Sequence, residues 1–189
     1  MNINKNKMTF EALVESHIQR SGIGDLMYMV ENSDFFTAPA STRFHGSEEG
    51  GLCQHSINVA TQLVNLARLY APGKYSDETL AIVGLFHDIC KIGCYKTEMR
   101  NKKDENGKWI QVPFYTFEED FPFGGHGSKS VFLIMQHMKL TPEEATAVNA
   151  HMGFSGCENI SAISSAFENN LLAWMLHVAD EAATYIDKC

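Results

Sequence analysis

The sequence predicts a mainly α-helical domain carrying one inserted β-hairpin, and three observations predict it. Apolar residues recur at three- and four-residue spacing through several segments. Helix-start signals stand before two of these, at Ser76 and at Thr141-Pro142-Glu143-Glu144. One stretch, from Trp109 to Phe117, is instead dense in aromatic and β-branched residues that favour extended backbone.

The elements follow in order. Thr9 is placed to cap a first helix with Phe10, Leu13, Val14 and Ile18 on one side, stopping near Gly22. A short second helix is expected from Asp25 to about Asn32, then an irregular approach from Phe35 to Glu49. Gly50 and Gly51 open a long helix reaching about Tyr70, in which Leu52, Val59, Leu63 and Leu66 share a side, and His55 at matching spacing turns to the core. Ala71-Pro72-Gly73 is a turn, and the helix capped by Ser76 runs through an apolar stretch to His87 and Asp88, both placed to point inward from its last turn. A strand from Lys96 to Arg100, a polar turn with Asn106-Gly107 at its tip and the strand from Trp109 to Phe117 complete the hairpin, with Pro113 on an exposed edge. Helices resume from Ser128 to about Met138, from the Thr141 capping box to His151, and from about Asn169 to Ile186, where Ala173, Leu176, Ala179 and Ala183 form a stripe beside Asp180.

The chain has 189 residues, enough for one domain with a substantial core. A formal net charge of -8 argues against a wide platform for duplex nucleic acid, because such binding neutralises many phosphates. A small anionic substrate stays compatible if bound cations reverse the local sign. Five cysteines without zinc-ribbon spacing point to free thiols in a reducing compartment. The polar start of the chain lacks the apolar core of a signal peptide, and no apolar run reaches membrane-spanning length, so a cytoplasmic location is expected.

The chemistry concentrates in one doublet. His87 and Asp88, an imidazole beside a carboxylate at the end of a buried-looking helix, can share one metal ion or let the carboxylate bridge to a second. His55 upstream and His126, His151 and Asp180 downstream also lie in or beside segments that read as buried. Six nitrogen and oxygen donors suffice for two ions with positions left for water and substrate. His17 and His137, by contrast, read as hydrogen-bonded core histidines.

The order His55, His87-Asp88, His126, His151, Asp180 resembles the HD-domain superfamily of metal-dependent phosphohydrolases, in the version with two extra histidines that goes with a two-metal site. The strings Gly50-Gly51-Leu52-Cys53-Gln54-His55-Ser56, His87-Asp88-Ile89-Cys90-Lys91-Ile92-Gly93, Gly125-His126-Gly127, His151-Met152-Gly153 and His177-Val178-Ala179-Asp180 carry the resemblance, over about residues 36–185. It implies a single HD-domain helical bundle over residues 1–189, with residues 1–35 as an N-terminal helical extension and 95–118 as the inserted hairpin. It also implies a divalent transition metal cofactor, two ions of iron, manganese, zinc, nickel or cobalt, held by the six donors.

The activity so implied is hydrolysis of a nucleotide or another small phosphate ester by a metal-activated water, with Asp88 and Lys91 catalytic. Lys91 can reach a phosphate oxygen or orient Asp88; as a helix-end cation it would only meet the helix dipole. Arg43 and His45 ahead of the His55 helix, and Ser128 and Lys129 after His126, are candidate anion-binding residues. His177, one turn before Asp180, is expected to pack behind the site. The glycines around His126 allow close approach of backbone to a ligand, and Tyr95, Trp109 and Tyr115 can wall the site. Three alternatives share the ligand order: a 3'-5' exonuclease-like hydrolase of short oligonucleotides, a di-iron oxygenase, and a metal-holding binding module without turnover.

Overall fold

A computed structural model describes residues 2–43, 46–119, 124–155 and 159–188. His45, one of the anion candidates, lies outside the described residues, as do Cys157 and Cys189. The architecture is mainly α-helical with one antiparallel β-hairpin, as the residue pattern predicts.

Helix α1 spans Ile3–His17 and starts earlier than Thr9 suggests, because the Asn2 side chain accepts from Lys5 N and supplies the cap. Thr9 lies inside the helix, its hydroxyl donating back to the Lys5 carbonyl at 2.9 Å. α2 covers Ile23–Glu31, and α3 covers Gly51–Tyr70 as its spacing predicts. Ser76 caps α4 (Asp77–Phe86) by accepting from Thr79 N. The doublet then falls one step beyond the helix rather than in its last turn: His87 is the C-cap, and Asp88 leads into a 3-10 turn at Ile89–Lys91.

Strands β1 (Tyr95–Lys103) and β2 (Trp109–Phe117) pair from Tyr95↔Phe117 to Lys103↔Trp109. β1 is longer than the sequence suggests, since the Asp104 carboxylate accepts from Asn106 N and Lys108 N and confines the turn to the tip. α5 spans His126–Met135, beginning two residues before the expected Ser128. α6 (Pro142–Ala150) carries the predicted capping box, with Thr141 and Glu144 satisfying each other's backbone N–H. The expected last helix, from about Asn169 to Ile186, is α8 (Leu171–Ala182) continued by a π turn at Ala183–Asp187, and α7 (Ile160–Asn169) precedes it as a helix the residue pattern does not predict. Asn170 makes the break, its side chain accepting from Ala173 N while its amide donates to the Glu143 carbonyl.

α3 runs through the core, packed by α1, α4 and α8. The rings of Phe35, Phe36 and Phe86 stand 5.0 to 5.7 Å from that of Phe10, so α1 packs against the end of α4 immediately before the doublet. Gly84 explains how closely α4 lies on α3: a Cβ there would meet the Ala60 Cα at 2.7 Å. Far from the doublet, Arg20 grips the buried Glu144 through two bonds of 2.5 and 2.9 Å, tying the start of the chain to the first turn of α6. His17 is exposed and His137 half-buried, so neither is the core histidine expected of it.

Candidate metal centre

The six donors named from the sequence come from five separate elements. His55 projects from the second turn of α3, His126 opens α5, Asp180 lies near the end of α8, and His87 and His151 are the C-caps of α4 and α6. The two C-cap histidines use the same device. His87 Nδ1 donates to the Gly84 carbonyl at 2.9 Å and His151 Nδ1 to the Val148 carbonyl at 2.7 Å, each three residues back. A carbonyl can only accept, so each ring is held with its proton on Nδ1 and the lone pair on Nε2, the tautomer that serves a metal.

Asp88 stands at the centre. Its Oδ2 is 3.7 Å from His55 Nε2 and 3.5 Å from His87 Nε2, while its Oδ1 is 3.4 Å from His151 Nε2. Asp180 reaches in from α8 with Oδ1 3.0 Å from His55 Nε2. Among the described residues three sets of donors lie with their atoms within 4.8 Å of one another: His55, His87 and Asp88; His87, His151 and Asp180; and Asp88, Cys90 and His126. The structure therefore gathers all six predicted donors, and it brings beside them the Cys90 thiol, which sequence reasoning did not place at the site.

Electrostatics and unmet bonding agree with a cation site. Burial pushes the His87 imidazole down to about 4, so it is neutral with a free lone pair at neutral pH. Burial alone would raise the Asp88 carboxyl, but Lys91 and the neighbouring His87 and His151 hold it well below the usual carboxylate range. Asp180 behaves alike: burial would raise its carboxyl, but the hydrogen bond to His55 and the charges of His55 and His87 together hold it below the usual carboxylate range. His151 is shifted up against the effect of its own burial, because the Asp88 carboxylate favours positive charge beside it. Among the described residues, His87 Nε2, His151 Nε2, Asp88 Oδ1 and His126 Nδ1 are buried atoms that make no hydrogen bond. Buried polar groups left without a hydrogen bond are costly in a folded core unless a cation joins them, so the residues present fit a metal.

Lys91 is 8% exposed and its Nζ lies 2.7 Å from Asp88 Oδ2 and 2.8 Å from the Ala40 carbonyl. It is thus a buried partner of the central carboxylate and no solvated helix-end cation. Tyr95 shares the Ala40 carbonyl, donating to it at 2.8 Å, so the hairpin root, the 36–43 segment and the doublet are joined through one oxygen. A cavity of about 170 Å³ opens beside Asp88, Lys91 and Asp180, with Met152, Ser155 and Tyr185 among its walls. His177 packs behind the site as expected: it donates to the His151 carbonyl at 2.8 Å and stacks on Phe167.

The remaining candidates are held elsewhere. Arg43 is exposed in a separate groove lined by Glu48, Glu49, Arg100 and Tyr115. Ser128 donates to Asn149 Oδ1 at 2.8 Å, and Lys129 pairs with Glu119 at 2.8 Å. Because α5 begins at His126, these two fall inside its first turn. Among walls that sequence reasoning missed, Met152 and Ser155 follow His151 and Tyr185 follows Asp180, so adjacency to a ligand was the available signal.

A model of the HD domain family matches residues 52–185. Searches of curated proteins and of solved structures give no significant match. The matched segment covers more than half of the chain and contains all six converging donors and the Asp88–Lys91 pair, and the chain belongs to the HD domain family.

Proposed function

We propose that this protein is a divalent-metal-dependent phosphohydrolase that cleaves a nucleotide or another small phosphate ester. The observation that carries the reading is the placement of Asp88, with one carboxylate oxygen facing His55 and His87 and the other facing His151, beside an open cavity. A carboxylate so shared suits two ions, with His55, His87, Asp88 and Asp180 serving the first and His126 and His151 completing the second. Such ions would supply Lewis acidity towards phosphoryl oxygens and an activated water at neutral pH.

The chain's own groups do the rest. The backbone carbonyls of Gly84 and Val148 fix the tautomers of His87 and His151. Lys91 orients Asp88 and presents its positive charge to the cavity, where a phosphate oxygen would meet it. At about 170 Å³ the cavity is below the usual size of a whole-ligand pocket and suits the phosphate end of a substrate, the remainder lying outwards past Tyr185. Buried free thiols at Cys53, Cys90 and Cys94 support a reducing, cytoplasmic setting.

The test is metal analysis of protein purified without oxygen, joined to a hydrolysis screen of phosphomonoesters, nucleotides and short oligonucleotides. The expected result is one to two equivalents of transition metal and metal-dependent release of phosphate or a nucleoside monophosphate. Asp88→Ala should lose most of the metal and the activity together. Metal content unchanged in that variant would sink the site, whereas oxygen uptake by an iron form without any hydrolysis would move the assignment to an oxygenase.

A further inference from the structure

We propose that Cys90 is a metal ligand: its thiolate, the Asp88 carboxylate and His126 form a sulfur-containing half of the binuclear centre, which favours zinc, cobalt or iron(II) over magnesium or calcium. The inference rests on the metal-centre reading above and goes beyond its ligand set, which is all nitrogen and oxygen. Asp88, Cys90 and His126 bring donor atoms within 4.8 Å of one another, and Cys90 is 2% exposed. The other two donor sets contain no sulfur, so the two halves of the centre differ in softness.

Two further observations point to a ligand at this place. Asp88 is 2% exposed, and among the described residues its Oδ1 makes no hydrogen bond beyond the 3.4 Å approach of His151 Nε2. His126 Nδ1 is buried and has no hydrogen-bond partner among the described residues. A thiol is too weak a donor and acceptor to satisfy either atom, so both call for a cation at this place, and Cys90 is the third donor within reach of it.

The backbone that carries Cys90 is also fixed. Asp88 and Cys90 lie two residues apart on the tight turn closed by Lys91 N to the Asp88 carbonyl at 3.0 Å, and Cys90 N donates to the buried Ser130 hydroxyl at 3.2 Å. The other described cysteines lack this setting. Cys53 belongs to no donor set, and the Cys94 thiol donates to the Cys90 carbonyl at 3.3 Å and meets Lys129 at 3.7 Å. Hard ions that prefer oxygen would fill the nitrogen and oxygen half and leave the sulfur half weakly held.

Wild-type protein stripped of metal and reloaded with zinc provides the primary test, by X-ray absorption at the zinc edge. A sulfur scatterer at about 2.3 Å beside nitrogen and oxygen at about 2.0 Å is expected. Cobalt(II)-loaded wild type should show a thiolate-to-metal charge-transfer band in the near ultraviolet. That band should vanish in Cys90→Ser and persist in Cys53→Ser and Cys94→Ser, and at limiting metal Cys90→Ser should retain about one ion. Bound metal with only nitrogen and oxygen scatterers and no charge-transfer band overturns the role of Cys90 and leaves the centre standing. A band that survives in Cys90→Ser overturns it as well. Failure of wild type to bind either ion overturns both this inference and the metal reading beneath it. The wild-type spectra decide the matter even where Cys90→Ser does not fold.

Discussion

Lys91 is where position and chemistry can be separated most cleanly. Its Nζ lies 2.7 Å from Asp88 Oδ2 in a buried setting, so its removal acts differently with and without metal. In the metal-loaded protein Lys91→Ala is expected to lower turnover by about tenfold to thousandfold, the usual cost of losing one electrostatic contact in the transition state. In the metal-free protein the same change leaves Asp88 short of positive charge and should lower the melting temperature measurably. Wild-type turnover in metal-replete Lys91→Ala would remove it from catalysis and leave it a structural partner.

The histidines make a related prediction for pH. His151 is shifted up by the Asp88 carboxylate in the metal-free centre, which favours its protonated form, and only the neutral form can hold metal. Lowering the pH therefore stabilises the metal-free protein and expels the ion, and raising it does the reverse. Metal affinity measured by chelator competition should rise as the pH is raised through and above the ordinary imidazole range, and His151→Gln should flatten that rise. An equally steep rise in the variant would assign the proton to another ligand.

At the level of elements, the closest approach in the core predicts its own penalty. Gly84 has no room for a Cβ, since Ala60 Cα would lie 2.7 Å away, and its carbonyl also holds His87. Gly84→Ala should destabilise by about 1–3 kcal/mol through overpacking and lower metal affinity as His87 shifts. Gly24, in the first turn of α2, has no described residue within 4 Å of a built Cβ and is the control, and Gly24→Ala should stabilise by up to about 1 kcal/mol. Urea melts of both variants check the pair, and equal effects would mean that the contact with α3 is not what requires glycine.

The same elements show what the chain discloses before folding. Ser76, the Thr141 capping box and the apolar spacing from Leu52 to Leu63 are local signals, and each corresponds to an element in place. The start of α1 and the whole of α7 were not legible that way. The first turn of α1 is asparagine- and lysine-rich with little apolar period, and its cap is a lone Asn2. α7 has no fully buried residue, resting on the half-buried Ile163, Ala166 and Phe167, so its stripe is narrow. At the site, the order of histidines and aspartates was readable through the family pattern. The nearness of Cys90 to His126 was not, because it depends on how α5 meets the turn after Asp88.

Across the whole molecule, the centre gathers donors from α3, α5, α8 and the ends of α4 and α6, so a bound ion links elements that are far apart in sequence. An unfolded chain cannot present these six groups together, and binding to the native state alone must raise stability by mass action. At free metal about a thousandfold above its dissociation constant the gain is about 4 kcal/mol. For a chain of this length each kcal/mol moves the midpoint by about 2–4 °C, so chelation should lower the melting temperature by about 8–16 °C. Two variants separate this linkage from general fragility. Arg20→Ala breaks the grip on buried Glu144 and should lower the midpoint of both forms while preserving the metal-induced difference, since Arg20 belongs to none of the donor sets. Asp88→Ala should abolish that difference. Calorimetry of metal-loaded and chelated samples of the three proteins reads all of this directly, and a shift of wild-type size in Asp88→Ala would show that the stabilising ion binds somewhere other than this centre.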